Sequence, residues 1–114
     1  MTPAAFRRIA LALDGAVEGA HGGHADFRAG GKVFATLGYP DEEWGMTKLT
    51  PEQQQMLVAA EPAIFVAIKG TWGRRGATSV RLAEVDGRTL RSALTMAWQN
   101  ATAAKAKKAR RAAA

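Results

Sequence analysis

The chain has 114 residues, 47% of them hydrophobic, with no cysteine and a formal net charge of +6. That length fits one domain whose core needs neither disulfide nor metal, and the missing thiols exclude disulfides, thiolate zinc sites and a cysteine nucleophile. Lys105, Lys107, Lys108, Arg110 and Arg111 supply five of the positive charges, which leaves a nearly neutral body of eleven Lys/Arg against ten Asp/Glu.

Thr2-Pro3 predicts a helix start, with threonine as cap and proline in the first turn. Phe6, Ile9, Ala10 and Leu13 follow at helical spacing, and Asp14-Gly15 ends the run. Arg7-Arg8 ahead of Ile9–Leu13 imitates a signal peptide, but the apolar run lasts five residues. A signal core needs about 7–15 apolar residues and a membrane span about 18 or more. No targeting or spanning segment is therefore expected, and a cytoplasmic location is. Val17–His21 reads as a weak strand between glycines. His24–Ala29 and Lys32–Leu37, joined by Gly30-Gly31, read as a hairpin, because paired glycines supply the positive φ angles of a tight primed turn. Gly38–Asp41 is a loop and Trp44–Leu49 a further strand.

Thr50-Pro51-Glu52-Gln53 predicts a second helix, with Thr50 and Gln53 as a capping box, ending before Pro62. Ile64–Ile68 reads as a strand or an extended packed segment, and Thr78–Leu82 as a strand. Asp86-Gly87 opens the last helix, with Leu90, Leu94, Ala97, Trp98 and Ala101 on its core-facing stripe. The alanine- and lysine-rich tail can continue it. Helices flanking strands with short links predict an α+β fold: a single two-layer domain over residues 1–100, its mainly antiparallel sheet covered by helices, then a basic tail over 101–114.

The stretch Lys69-Gly70-Thr71-Trp72-Gly73-Arg74-Arg75-Gly76 sets three glycines around an indole and two guanidiniums. Glycine permits close approach of another molecule, and the arginine fork matches phosphate oxygens. An exposed phosphate-contacting loop and a tight turn pinned by tryptophan are both open readings. Gly73–Gly76 has the form of the GXXG clamp of KH domains, but a strand follows where that fold has a helix.

Gly22-Gly23-His24-Ala25-Asp26-Phe27-Arg28, Gly31–Gly38, Lys48–Gln54 and Gly70–Gly76, followed by Thr78–Leu82 and Ala97-Trp98, stand in an order that resembles the MmcQ/YjbR family over about Phe6 to Trp98. Ala25 stands where members often carry proline, and Ala77 where many carry a tryptophan. The resemblance implies an architecture like that of type III secretion chaperones, also described as a double-wing DNA-binding arrangement. Its members are commonly named DNA-binding proteins.

The expected function is therefore nucleic-acid binding, on duplex DNA, directed mostly at phosphates and without catalysis. Lys69, Trp72, Arg74 and Arg75 would grip the backbone. Arg28 and Lys32, flanking Gly30-Gly31, would form a second wing, and the five tail cations would add non-specific affinity. The rival expectation is a protein-interaction module, chaperone-like or adaptor-like. No constellation of catalytic side chains and no nucleotide-binding loop is present, so neither an enzyme nor a cofactor is expected. His21 and His24 with Glu18 and Asp26 invite a metal reading, but Gly22-Gly23 prevents the helix that would bring the histidines together. His24 and Asp26 are expected instead to hydrogen-bond at the hairpin entrance.

Overall fold

In the computed structural model, which describes the backbone of residues 1–113 and the side chains of residues 1–103, each long helix begins at a polar cap. The Thr2 hydroxyl accepts from the Ala5 N–H at 3.0 Å and starts α1 (Pro3–Leu11). Thr50 and Gln53 close a reciprocal capping box at the head of α2 (Pro51–Ala60). The Asp86 carboxylate accepts from the Thr89 N–H and opens α4 (Gly87–Ala113). Each cap satisfies backbone donors that a helix start leaves without intrahelical partners.

Between these helices run β1 (Val17–His21), β2 (His24–Ala29), β3 (Lys32–Leu37), β4 (Trp44–Lys48), β5 (Phe65–Ala67), the short helix α3 (Thr71–Arg74) and β6 (Ala77–Arg81). The strands form one antiparallel sheet in the order β1-β2-β3-β4-β6-β5. Glycine pairs make both two-residue hairpin turns: Gly22-Gly23 has φ of 59° and 82°, and Gly30-Gly31 has 62° and 80°. The β2–β3 register shifts between Phe27 and Arg28, where Phe27 pairs with Ala35 but Arg28 pairs with Val33. Phe34 is the extra residue. A bulge of this kind bends and twists the ladder.

One sheet face carries α4, which packs across β2, β3 and β4, with α1 against α4. Phe6, Phe27, Phe34, Phe65, Val80, Leu90 and Leu94 fill that core and are fully buried. The chain is thus a two-layer α+β domain. Trp98, expected in the core stripe, is only partly buried, and its indole N–H donates to the Asp14 carbonyl at 2.7 Å. It ties the α1–β1 connection to α4 rather than filling the core. Helix α4 runs without interruption past residue 100, and Ala101 is 6% exposed within the core cluster. The side chains of Lys105, Lys107, Lys108, Arg110 and Arg111 lie outside the described residues. Among the described residues no helix is long and apolar enough to cross a membrane.

Of the two readings open for Lys69–Gly76, the structure gives a tight turn, though Trp72, 60% exposed, does not pin it. Residues 71–74 form the helical turn α3. Gly73 is buried, and a Cβ there would overlap the Ile68 carbonyl oxygen. Gly76, at φ 111°, is pressed in the same way against the Leu49 carbonyl, and the Leu49 N–H donates to the Gly76 oxygen at 3.2 Å. These two glycines serve the packing of the turn against its own chain. Of the three, Gly70 alone, at φ 89°, has open space around it.

Candidate functional site

The sheet face away from α4 carries no long helix, although Asp26, Met46 and Ser79 on it are buried. Its central row crosses all six strands: Gly19, Asp26, Thr36, Met46, Ser79 and Val66 are successive cross-strand partners. Strand alternation adds Trp44 and Lys48 from β4 to the same face. Over this surface lies a groove of about 860 Å³, a volume within the range of small-ligand pockets.

Chain direction gives the groove two chemically different ends. β3 leaves from Lys32 and β4 returns to Lys48, so both lysines come to one end. β5 runs toward the same end and delivers Lys69, with Trp72 following on α3. At the other end the β1–β2 turn brings His21 and His24, and the β3–β4 connection brings Tyr39. Trp72 is 60% exposed and Tyr39 54%. The His24 ring meets Tyr39 edge-on, with centroids 6.0 Å apart and planes at 84°.

Two amides hold the lysine end in place. Gln54 of α2, itself buried, donates to the carbonyls of Gly73 and Ala77, each at 3.0 Å, and to the Thr78 hydroxyl at 3.2 Å. It thereby fixes α3, and with it Trp72, against β6. Asn100 of α4 donates to the Lys48 carbonyl at 3.3 Å and to the Gln53 side-chain oxygen at 2.9 Å. The backbone under Lys48 is thus bound to α4, whose Asn100 is itself bound to Gln53 of α2.

Charge in the groove is one-sided. Ion pairs among the described residues are Arg7–Glu18 at 2.8 Å and Arg28–Asp26 at 3.0 Å, so Lys32, Lys48 and Lys69 have no carboxylate partner there. Asp26, the acid of the groove lining, is 1% exposed and gripped by the fork of Arg28, Nε on Oδ1 and Nη2 on Oδ2, both at 3.0 Å. Gly19 makes room for it, since a Cβ there would lie 2.9 Å from Oδ1. The Arg28 hydrogen bonds hold the Asp26 carboxyl below its ordinary value of 3.8, against the opposing effect of burial. Asp26 is thus ionised and neutralised, and the Arg28 guanidinium is already engaged.

This pair yields a signed expectation. A depressed folded-state pKa contributes stability that is complete above the unfolded value and lost as pH falls through the folded one. Asp26→Asn mimics the protonated acid. At neutral pH it should cost about 1.5–3 kcal/mol, the range for hydrogen bonds to a charged group. The gap from wild type should close only when pH falls well below 3.8. Urea melts over a pH series measure it, and a gap that stays constant with pH would show that the ion pair carries no stability.

The groove gathers Arg28, Lys32, Lys69 and Trp72 of the expected contact residues. Arg74 and Arg75 are exposed but do not line it, and Arg74 donates to its own Thr71 hydroxyl at 3.1 Å. Of the hydrogen bonds expected from His24 and Asp26 at the hairpin entrance, Asp26 makes two, with Arg28, while the His24 ring meets Tyr39 edge-on. His21 and His24 face each other across the hairpin, and no group of three or more potential metal ligands forms among the described residues. Lys48 and Tyr39 join the site unannounced by the sequence. Alternation along Trp44–Lys48 is the available signal for Lys48, but only the pairing of β4 with β6 sets it near Lys69.

No curated protein and no solved structure was found to match the chain. A family model described as YjbR matches residues 11–100. That span holds the six strands, the capped helix α2, the α3 turn and all the groove-lining residues named above. By this match, over most of its length, the chain belongs to the YjbR family.

Proposed function

We propose that the chain binds nucleic acid, DNA in the first instance, along the sheet face away from α4 and without catalysing a reaction. The observation that carries this reading is a groove with three lysines free of carboxylate partners among the described residues, beside an exposed indole. Such lysines attract phosphates and release condensed counterions when they bind. The single acid of the lining is neutralised by Arg28, so little opposes an incoming anion. The common description of YjbR-family members as DNA-binding points the same way. Phosphate contact then belongs to Lys32, Lys48 and Lys69 rather than to the Arg74-Arg75 pair.

The test is fluorescence anisotropy of labelled DNA against salt, with wild type and the Lys32/Lys48/Lys69→Gln variant. Removing one phosphate-binding lysine should flatten the log–log salt slope by about 0.9 on duplex or 0.7 on a single strand, hence by up to ~2.7 or ~2.1 for the three. Both proteins carry the same tail, so its contribution cancels in the difference. A slope unchanged in the lysine variant but flattened in Arg74/Arg75→Ala would move the phosphate path onto α3. Partners captured without salt dependence, and no DNA bound, would favour the protein-interaction reading.

A further inference from the structure

We propose that the groove takes a single strand of nucleic acid, with bases stacked on Trp72 and Tyr39 and phosphates running past Lys32, Lys48 and Lys69; this rests on the nucleic-acid reading above. Shape is the first argument. The lysines and aromatic rings line a recess in the sheet, not the crest of a protruding helix or ribbon. Reading a duplex calls for an element that enters its grooves, such as a helix or two-stranded ribbon in the major groove. A recess instead admits a flexible strand.

The aromatic groups are the second argument. Trp72 and Tyr39 are more than half exposed at opposite ends of the groove, where neither contributes to the core. Paired, stacked bases hide their π faces from such rings, whereas an unpaired strand offers every base for stacking regardless of sequence. Val33, half-buried on the floor between them, supplies apolar surface for a base plane, and Thr36 supplies a hydroxyl. The combination of a cationic track and aromatic platforms is the usual composition of single-strand sites. Length agrees as well. Six-residue strands such as β3 set about 20 Å, at 3.3 Å per residue, between the Trp72 end and the Tyr39 end, room for about four nucleotides, the low end of known site sizes, with the three lysines meeting phosphates at the Trp72 end.

The experiment compares a twelve-nucleotide oligo-dT, oligo-U of equal length and a twelve-base-pair duplex at one salt concentration. The proteins are full-length wild type, Trp72→Ala, Trp72→Phe and Tyr39→Ala. Trp72 and Tyr39 are exposed, so the variants should melt like wild type. Expected are tighter binding of oligo-dT than of duplex and a loss of about 5- to 150-fold on oligo-dT in Trp72→Ala, the range for removing one stacked base. Trp72→Phe should recover most of that loss, while duplex affinity should change less than about twofold. Oligo-U bound as tightly and weakened equally by Trp72→Ala also supports the proposal and makes RNA a natural source of the strand. Duplex bound at least as tightly as oligo-dT, or a Trp72→Ala loss equal on both, overturns the single-strand proposal and leaves nucleic-acid binding standing. If none of the three probes binds, the underlying reading fails with it.

Discussion

Gly73→Ala is expected to lose on the order of 4 kcal/mol of folding stability, at the large end for one substitution. The cause is steric. A Cβ at Gly73 would occupy the space of the Ile68 carbonyl oxygen, a backbone atom that no side-chain rotation can clear. The turn α3 would have to lift away from the end of β5. Lifting it breaks the Gln54 amide bond to Gly73, which joins α2 to α3. Trp72 rides on the same turn, so the groove should lose affinity along with stability. Gly70→Ala is the control. Its φ of 89° and ψ of −161° lie where essentially only glycine is at ease, but nothing lies within 4 Å of the added Cβ, so it should cost about 1–3 kcal/mol, from backbone strain without overlap. Urea melts of the two variants decide the matter. A loss below about 1 kcal/mol in Gly73→Ala would mean that α3 moves freely off Ile68 and that its glycines are not packing residues.

That segment also marks where the sequence stops being readable. Caps at Thr2, Thr50 and Asp86, and the turn at Gly30-Gly31, depend on residues at most three apart, and they are where local chemistry puts them. The three glycines around Trp72 look equally local, but two of them answer to Ile68 and Leu49, whose positions follow from pairing β5 and β4 with β6. The Asp26–Arg28 pair is nearer to legible, since residues two apart in a strand share a face. Reading Arg28 as a free wing residue misses the acid that already holds it. The groove itself is not legible, because Lys32, Lys48 and Lys69 come together only through the strand order β3-β4-β6-β5.

The core face carries the second large effect, and it falls on Leu94 rather than Trp98. Leu94 is fully buried under the sheet, in the helix that spans β2, β3 and β4. Truncating it leaves a cavity that rigid strands cannot collapse, so Leu94→Ala should cost about 2–5 kcal/mol. Trp98 sits at the margin of the same cluster, and its sharpest contact is the indole N–H on the Asp14 carbonyl. Trp98→Phe removes that bond and keeps most of the apolar contact, so it should cost about 1 kcal/mol. Function separates the two in the same order. Helix α4 holds the backbone of Lys48 through Asn100, so loosening the helix at Leu94 should weaken DNA binding near the melting transition, while Trp98→Phe should leave it unchanged. Denaturant melts, paired with binding isotherms at low temperature and near the transition, test both. If Trp98→Phe proves the costlier substitution, the tie to Asp14, and not the sheet-facing stripe, is what holds α4 on the fold.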